Sequence, residues 1–167
     1  MAGNRQNYQK KMEAVIAGEQ ARGRVPSLLL HSCCAPCSSY CLEALSEYFH
    51  ITVFYYNPNI YQKEEYGKRV EEQRRLIAQL PVKYPVRFLA GDYEKERFYE
   101  AVRGLEGERE GGERCVRCFA LRLREAAKTA AKLGMDYVTT TLSISPLKNA
   151  ETLNEIGERA AQEYGVR

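Results

Sequence analysis

Apolar residues along this chain recur with two different periods, and the periods alternate. Residues 27–32, SLLLHS, form a short apolar run bounded by Pro26 and by cysteines, the signature of a strand buried on both faces. ITVFYYN (51–57), VRFLA (86–90) and DYVTTT (136–141) read as three further strands. Between them the spacing changes to three and four. Over 61–80 it places Tyr66, Val70, Ile77 and Leu80 on one helical face, with Gln73 a polar interruption. Pro36 suits the first turn of a helix, where its missing N–H would be unpaired anyway, and this helix is expected to reach about Phe49. Further helices are expected over 5–22, 94–102, 114–133 and 148–164. In the first, Met12, Val15 and Ile16 are free to pack. In 114–133, Phe119, Leu123, Ala126, Ala130 and Leu133 form the buried stripe, and Gly134 ends the helix.

Alternating strands and helices predict an α/β fold with a doubly wound parallel sheet. Residues 1–24 read as an N-terminal helical extension and 25–167 as the α/β domain. The sequence stops at Tyr164-Gly165-Val166-Arg167, where a next strand should begin, so a further C-terminal segment is expected. A strand order 3-2-1-4-5 would set the loop after 136–141 beside the loop after 27–32.

Composition narrows the class. The chain has 167 residues, 44% hydrophobic and 28% charged, which suits one globular domain. No run of about 18 apolar residues indicates a membrane span, and the N-terminus lacks a secretory apolar core, so the expected location is cytoplasmic. A net charge of +3 permits RNA without arguing for it, and nothing points to DNA. The six cysteines matter more, because clustered thiols in a reducing compartment point to metal or redox chemistry.

His31-Ser32-Cys33-Cys34-Ala35-Pro36-Cys37 closes the first strand, at the sheet edge where open α/β folds bind ligands. Cys115-Val116-Arg117-Cys118 opens a helix, so both thiols can face one site, and Arg114 and Arg117 flank them. Helix N-termini favour the thiolate that metals need. Four cysteines would satisfy tetrahedral zinc or a [4Fe–4S] cluster, and the fifth is surplus to a closed site. That surplus favours a catalytic centre. Cys41 reads as a small apolar core residue. His31, ending an apolar strand, suits a hydrogen-bonded structural role better than a ligand's, and His50 simply starts a strand.

Tyr55-Tyr56-Asn57-Pro58-Asn59-Ile60-Tyr61 closes the second strand on the same edge. Its aromatics can stack on bases or simply pack. Ser143, Ser145 and Lys148 follow the fourth strand and suit a polar or phosphate-bearing ligand, unless the loop is only a capping turn. Asp92 can bind metal or substrate, or cap the next helix. Lys68, Arg69, Arg74 and Arg75, interleaved with glutamates, read as a solvated helix face.

Together HSCCAPC, YYNPNIY, GGERC-x-x-C and TTTLSISPLKN resemble the QueH-type epoxyqueuosine reductases, from about Ser27 to the end of the chain. The resemblance implies a HUP-like (nucleotide α-hydrolase-like) fold, a [4Fe–4S] cluster and a neighbouring metal ion, expected to be iron. It implies reduction of epoxyqueuosine to queuosine at the wobble position of a tRNA anticodon loop, with electrons from an unidentified donor. On it, Cys34, Cys115 and Cys118 match cluster ligands, and Cys33 and Cys37 match ligands of the second metal with a catalytic part. Asn57, Asn59, Tyr55, Ser143, Ser145 and Lys148 become substrate contacts. Epoxide reduction needs an acid for the departing oxygen, for which Tyr61, Asp92 and His31 are candidates. Two other readings compete: an ATP-using tRNA thiolase of the PP-loop type, against which the absence of a Ser-Gly-Gly phosphate loop counts, and a zinc-stabilised RNA-binding module.

Overall fold

The structure is a computed structural model that describes residues 6–167. Its sheet has four strands: β1 (Ser27–His31), β2 (His50–Tyr55), β3 (Arg87–Ala90) and β4 (Tyr137–Thr140). Their order is β3-β2-β1-β4, and every pair is parallel. The helices are α1 (Tyr8–Ala21), α2 (Ala35–Leu45), α3 (Lys63–Gln79), α4 (Lys95–Ala101), α5 (Glu113–Lys132) and α6 (Ala150–Tyr164), and a 3-10 turn covers Thr141–Ile144. The doubly wound α/β architecture is the expected one.

Side chains on β1 alternate between two cores, as the pleat requires. Leu28 and Leu30 join Ile51 and Val53 under α2, with Leu76 and Ile77 of α3 and Ile16 of α1 packed against them. Leu29, with Phe54 and Tyr56, faces Ala126, Ala127 and Ala130 of α5 and Ala160 and Ala161 of α6. The alanines let α5 lie close to the sheet. Both faces of the sheet are therefore covered, which is why β1 reads as an unbroken apolar run.

Several expected boundaries move. The helix after Pro36 stops at Leu45, so Phe49 sits in the connection to β2. β2 ends at Tyr55, leaving Tyr56 and Asn57 beyond it, yet both are buried. Leu133, expected in the stripe of α5, is 49% exposed, because the helix has run past the sheet by its last turn. Gln73 is not a flaw in the face of α3 but a fully buried partner of two serines. The expected helix over 5–22 starts at Tyr8, and Arg5 lies outside the described residues. No fifth strand is assigned among the described residues, although Val138 N–H donates to the Arg167 carbonyl at 2.7 Å on the open side of β4.

Among the described residues, no helix is long and apolar enough to cross a membrane.

Candidate metal centre at the switch point

The sheet order reverses between β1 and β4, since β2 and β3 lie to one side of β1 and β4 to the other. The carboxyl ends of β1 and β4 therefore part into the crevice where such folds take ligands. Cys33 leaves β1 there and Thr141 leaves β4. They meet across the gap. The fully buried Thr141 hydroxyl accepts from Cys33 N–H at 3.0 Å and donates to Cys33 Sγ at 3.2 Å. Sequence reasoning quoted the loop that holds Thr141 but singled out its serines. A threonine at a parallel strand end carries no local signal that it will reach a residue 108 positions away.

The Sγ atoms of Cys33, Cys34 and Cys37 lie within 4.8 Å of one another, and those of Cys33 and Cys34 are 3.8 Å apart. Cys34 is the N-cap of α2, and its thiol does not cap the helix. The free N–H groups of the first turn thus give the thiol group a positive setting. Burial, with hydrogen bonding and charge from Cys34 and Cys33, pushes the Cys37 thiol up to about 12. Three thiols this close cannot all ionise without a cation among them, which is what a metal supplies. Burial likewise pushes Cys41 up to about 11, and it packs in the α2 core as a small apolar residue.

Behind the cysteines the backbone is fixed by a buried polar cluster. Ser32 and Ser38 hydroxyls lie 2.6 Å apart and reach Gln73 Oε1 at 2.9 and 3.1 Å. Ser38 also donates to the Cys34 carbonyl at 2.8 Å, tying the cysteine turn to α3. His31 is fully buried, with Nε2 3.0 Å from the Tyr56 carbonyl and Nδ1 2.9 Å from Thr140 Oγ1. The carbonyl can only accept, so Nε2 carries the proton and Nδ1 accepts. Burial and the charge of Arg122 push the imidazole down to about 3, so it is neutral at ordinary pH. Both its nitrogens are engaged, which is a structural geometry.

Cys115 and Cys118 stand outside the 4.8 Å group, on the first turns of α5. Cys115 packs against the same Phe119, Leu123, Leu142 and Leu153 cluster as Cys33, whereas Cys118 packs with Phe98 and Val102. Gly111 precedes them with φ +82, a conformation costly for other residues, and its N–H donates to Cys115 Sγ at 3.3 Å. Cys118 is buried, with Arg122 Nη1 3.9 Å from its sulfur.

The remaining candidates divide by burial. Tyr55 is fully buried, and its hydroxyl lies 3.5 Å from the Cys33 carbonyl, so it braces the loop. Burial holds its phenol well above the ordinary range. Asn57 is buried, donating to the Ser32 carbonyl at 2.9 Å and accepting from Arg122 Nη2. Tyr66 donates towards the carbonyls of Tyr55 (3.1 Å) and Gly91 (2.9 Å). Gly91 lets the chain pass close to the Tyr56 ring, because a Cβ there would stand 2.9 Å from Tyr56 Cδ2. By contrast Asn59 is exposed, and Tyr61 is 68% exposed with Lys95 Nζ 5.4 Å from its ring centre. Asp92 is exposed and does not cap α4, whose N-cap is Glu94. Ser143, Ser145 and Lys148 lie on the same sheet edge as the cysteines, and Asn149 caps α6 through Thr152 N–H at 3.1 Å. Ser143 also lines a groove of about 400 Å³ between α1 and α2 that includes Cys41 but no motif cysteine. Arg69 and Arg74 pair with Glu65 and Glu71 on the exposed side of α3.

A doubly wound parallel α/β domain with a thiol group at its switch point is the frame of a cofactor- or metal-dependent enzyme. Residues 28–167 match the family described as Epoxyqueuosine reductase QueH, and the chain belongs to that family. It is 41% identical over 163 residues to the protein of that name from Streptococcus pyogenes, covering 96% of this chain and 64% of that relative. The Staphylococcus epidermidis relative is 39% identical over 165 residues, with 96% and 69% covered. The Thermotoga maritima relative is 33% identical over 147 residues, with 84% and 71% covered. The chain thus spans about two thirds of the length of these relatives.

Proposed function

We propose that this chain reduces epoxyqueuosine to queuosine at the tRNA wobble position, in the cytoplasm, using a [4Fe–4S] cluster and an adjacent iron ion. The observation that carries the reading is the three-thiol group at the switch point in a chain of this family. The residues fit such a centre: Cys33, Cys34 and Cys37 are close enough to share a metal, and Cys115, which opens α5 with Cys118 one turn on, packs on the same apolar patch as Cys33. Cys34, Cys115 and Cys118 would hold the cluster, and Cys33 and Cys37 the second metal. When bound, these groups supply the electrons, drawn from an external donor, and a Lewis-acidic position.

The protein's own part is positioning and proton supply. Converting an epoxide to an alkene takes up two electrons and two protons and releases water. Thr141, Tyr55 and the Ser32–Ser38–Gln73 cluster hold the cysteine loop. His31, neutral and sealed, holds the strand end. Tyr61 and Asp92 are the acid candidates with exposed polar groups. Tyr61 and Asn59 would receive the splayed anticodon base, and Ser143, Ser145 and Lys148 the neighbouring backbone. Residues 25–167 form the catalytic domain of this reading, and 1–24 its extension.

The test is anaerobic purification with a metal count, then incubation with a chemical reductant and tRNA carrying epoxyqueuosine. Iron at about four or five per chain and conversion to queuosine are expected. Colourless protein with one zinc, or a thiolated nucleoside formed with ATP, would overturn the reading.

A further inference from the structure

A cation without an anion lies behind the cysteines. Arg122 is 4% exposed on the sheet side of α5, one turn beyond Cys118. Its Nη2 donates to Asn57 Oδ1, its Nη1 points at Cys118 Sγ from 3.9 Å, and its buried Nε has no acceptor. Among the described residues no carboxylate pairs with it. Its neighbours differ. Arg97 pairs with Glu94 and Glu125, Arg117 with Glu113, and Arg124 with Glu163. A guanidinium does not shed its proton, and a buried charge left unpaired is strongly unfavourable. Asn57 is neutral and His31 is uncharged. Of the groups within hydrogen-bond distance of Arg122 among the described residues, only the sulfur of Cys118 can be an anion.

We infer that Arg122 is a positioning residue that balances the negative charge of a metal–thiolate centre built on Cys118 and thereby favours its reduced state. The inference rests on the proposed function, in that the cysteines must hold such a centre. Reduction adds one electron, and so one negative charge, to the centre. A fixed cation beside a ligand sulfur stabilises that added charge, and net charge and hydrogen bonds to sulfur are among the factors that set cluster potentials. Asn57 orients the guanidinium and is itself held by the Ser32 carbonyl.

The experiment is an anaerobic dithionite titration, with mediators, of iron-loaded wild type, Arg122→Lys and Arg122→Met, read by visible absorption and electron paramagnetic resonance. At a fixed potential Arg122→Met should lower the reduced-to-oxidised ratio about tenfold, equivalent to a shift of about 59 mV for one electron. Arg122→Lys should recover most of that shift. A merely structural role would lower the melting temperature of both variants and leave the potential in place. Equal shifts in Lys and Met, or none in Met at full iron content, overturn the inference alone. Should Arg122→Met fail to load, Asn57→Asp sets a carboxylate against the intact guanidinium, and an unchanged potential there overturns it equally. A wild-type chain that takes up no iron removes the anion and overturns the inference together with the proposed function.

Discussion

The two ends of this sheet handle polar groups in opposite ways. At the amino end, Asp136 accepts from the Ser27 N–H and hydroxyl, each at 2.9 Å, and pairs with Arg24 at 3.1 Å. Buried Glu19 takes the Tyr137 hydroxyl at 2.7 Å and has Arg22, Arg24 and Arg167 within 3.8 Å. Charges there meet opposite charges. At the carboxyl end, three thiols crowd together, and among the described residues the hydrogen-bond partners of a buried guanidinium are an amide and a sulfur. At the amino end each of these charges has an opposite charge within 3.8 Å, although Glu19 Oε2 makes no hydrogen bond among the described residues. At the other end the thiols could hold a metal ion, and among the described residues the guanidinium has no carboxylate partner.

The contrast can be broken at four places. The largest effect is expected from Cys115→Ala or Cys118→Ala, which should abolish iron binding, while Cys41→Ala keeps it, as an iron count after anaerobic reconstitution would show. Equal iron loss in all three variants would erase the distinction between motif and core cysteines. Next is Thr141→Val, which leaves the Cys33 N–H without its acceptor. It should cost about 1–3 kcal/mol in denaturant unfolding and weaken metal retention.

Asp136→Asn should cost about 1–2 kcal/mol at neutral pH and leave iron content unchanged. The Ser27 N–H holds the Asp136 carboxyl below its ordinary 3.8, with the Ser27 hydroxyl and Arg24 adding to the effect. A depressed folded value means that the unfolded chain binds the proton first. The stabilisation is therefore complete above the ordinary value and lost as pH falls through the folded one. Unfolding curves of wild type and variant should converge in that acid window, and a constant gap down to pH 2 would refute the assignment. The smallest effect on the fold is expected for Tyr61→Ala, within about 0.5 kcal/mol because the ring is exposed. Its affinity for tRNA should fall by about 1–3 kcal/mol if the ring stacks on a base. Unchanged affinity would leave the ring a packing residue.

What could be read from the sequence follows the range of the interactions. The strands and helices are local patterns, and the close spacing of Cys33, Cys34 and Cys37 brings their thiols together at one helix start, so both are legible. Leu133 fits the helical period but not the geometry, because periodicity says nothing of where a sheet ends beneath a helix. Gln73 looks like a defect in an apolar face until Ser32, 41 positions earlier, is seen to meet it. Arg122 looks like one more basic residue of a charged helix. What sets it apart is that no carboxylate among the described residues pairs with it, a property of the folded chain.

The Cys33–Thr141 contact also bears on how the protein is made. Its partners are 108 residues apart, and the Ser27–Asp136 contact at the other end of the same strand pair spans 109. During synthesis at about 5–20 residues per second, the first cysteine motif waits roughly 5–20 s before Thr141 has even been polymerised. Closing so long a loop is also the slowest kind of step in a parallel sheet. Through that interval Cys33, Cys34 and Cys37 stand on an unfinished crevice, as bare thiols on a nascent chain. The thiol group thus reaches its folded setting only after the β1–β4 closure, and until then no part of the fold shields it.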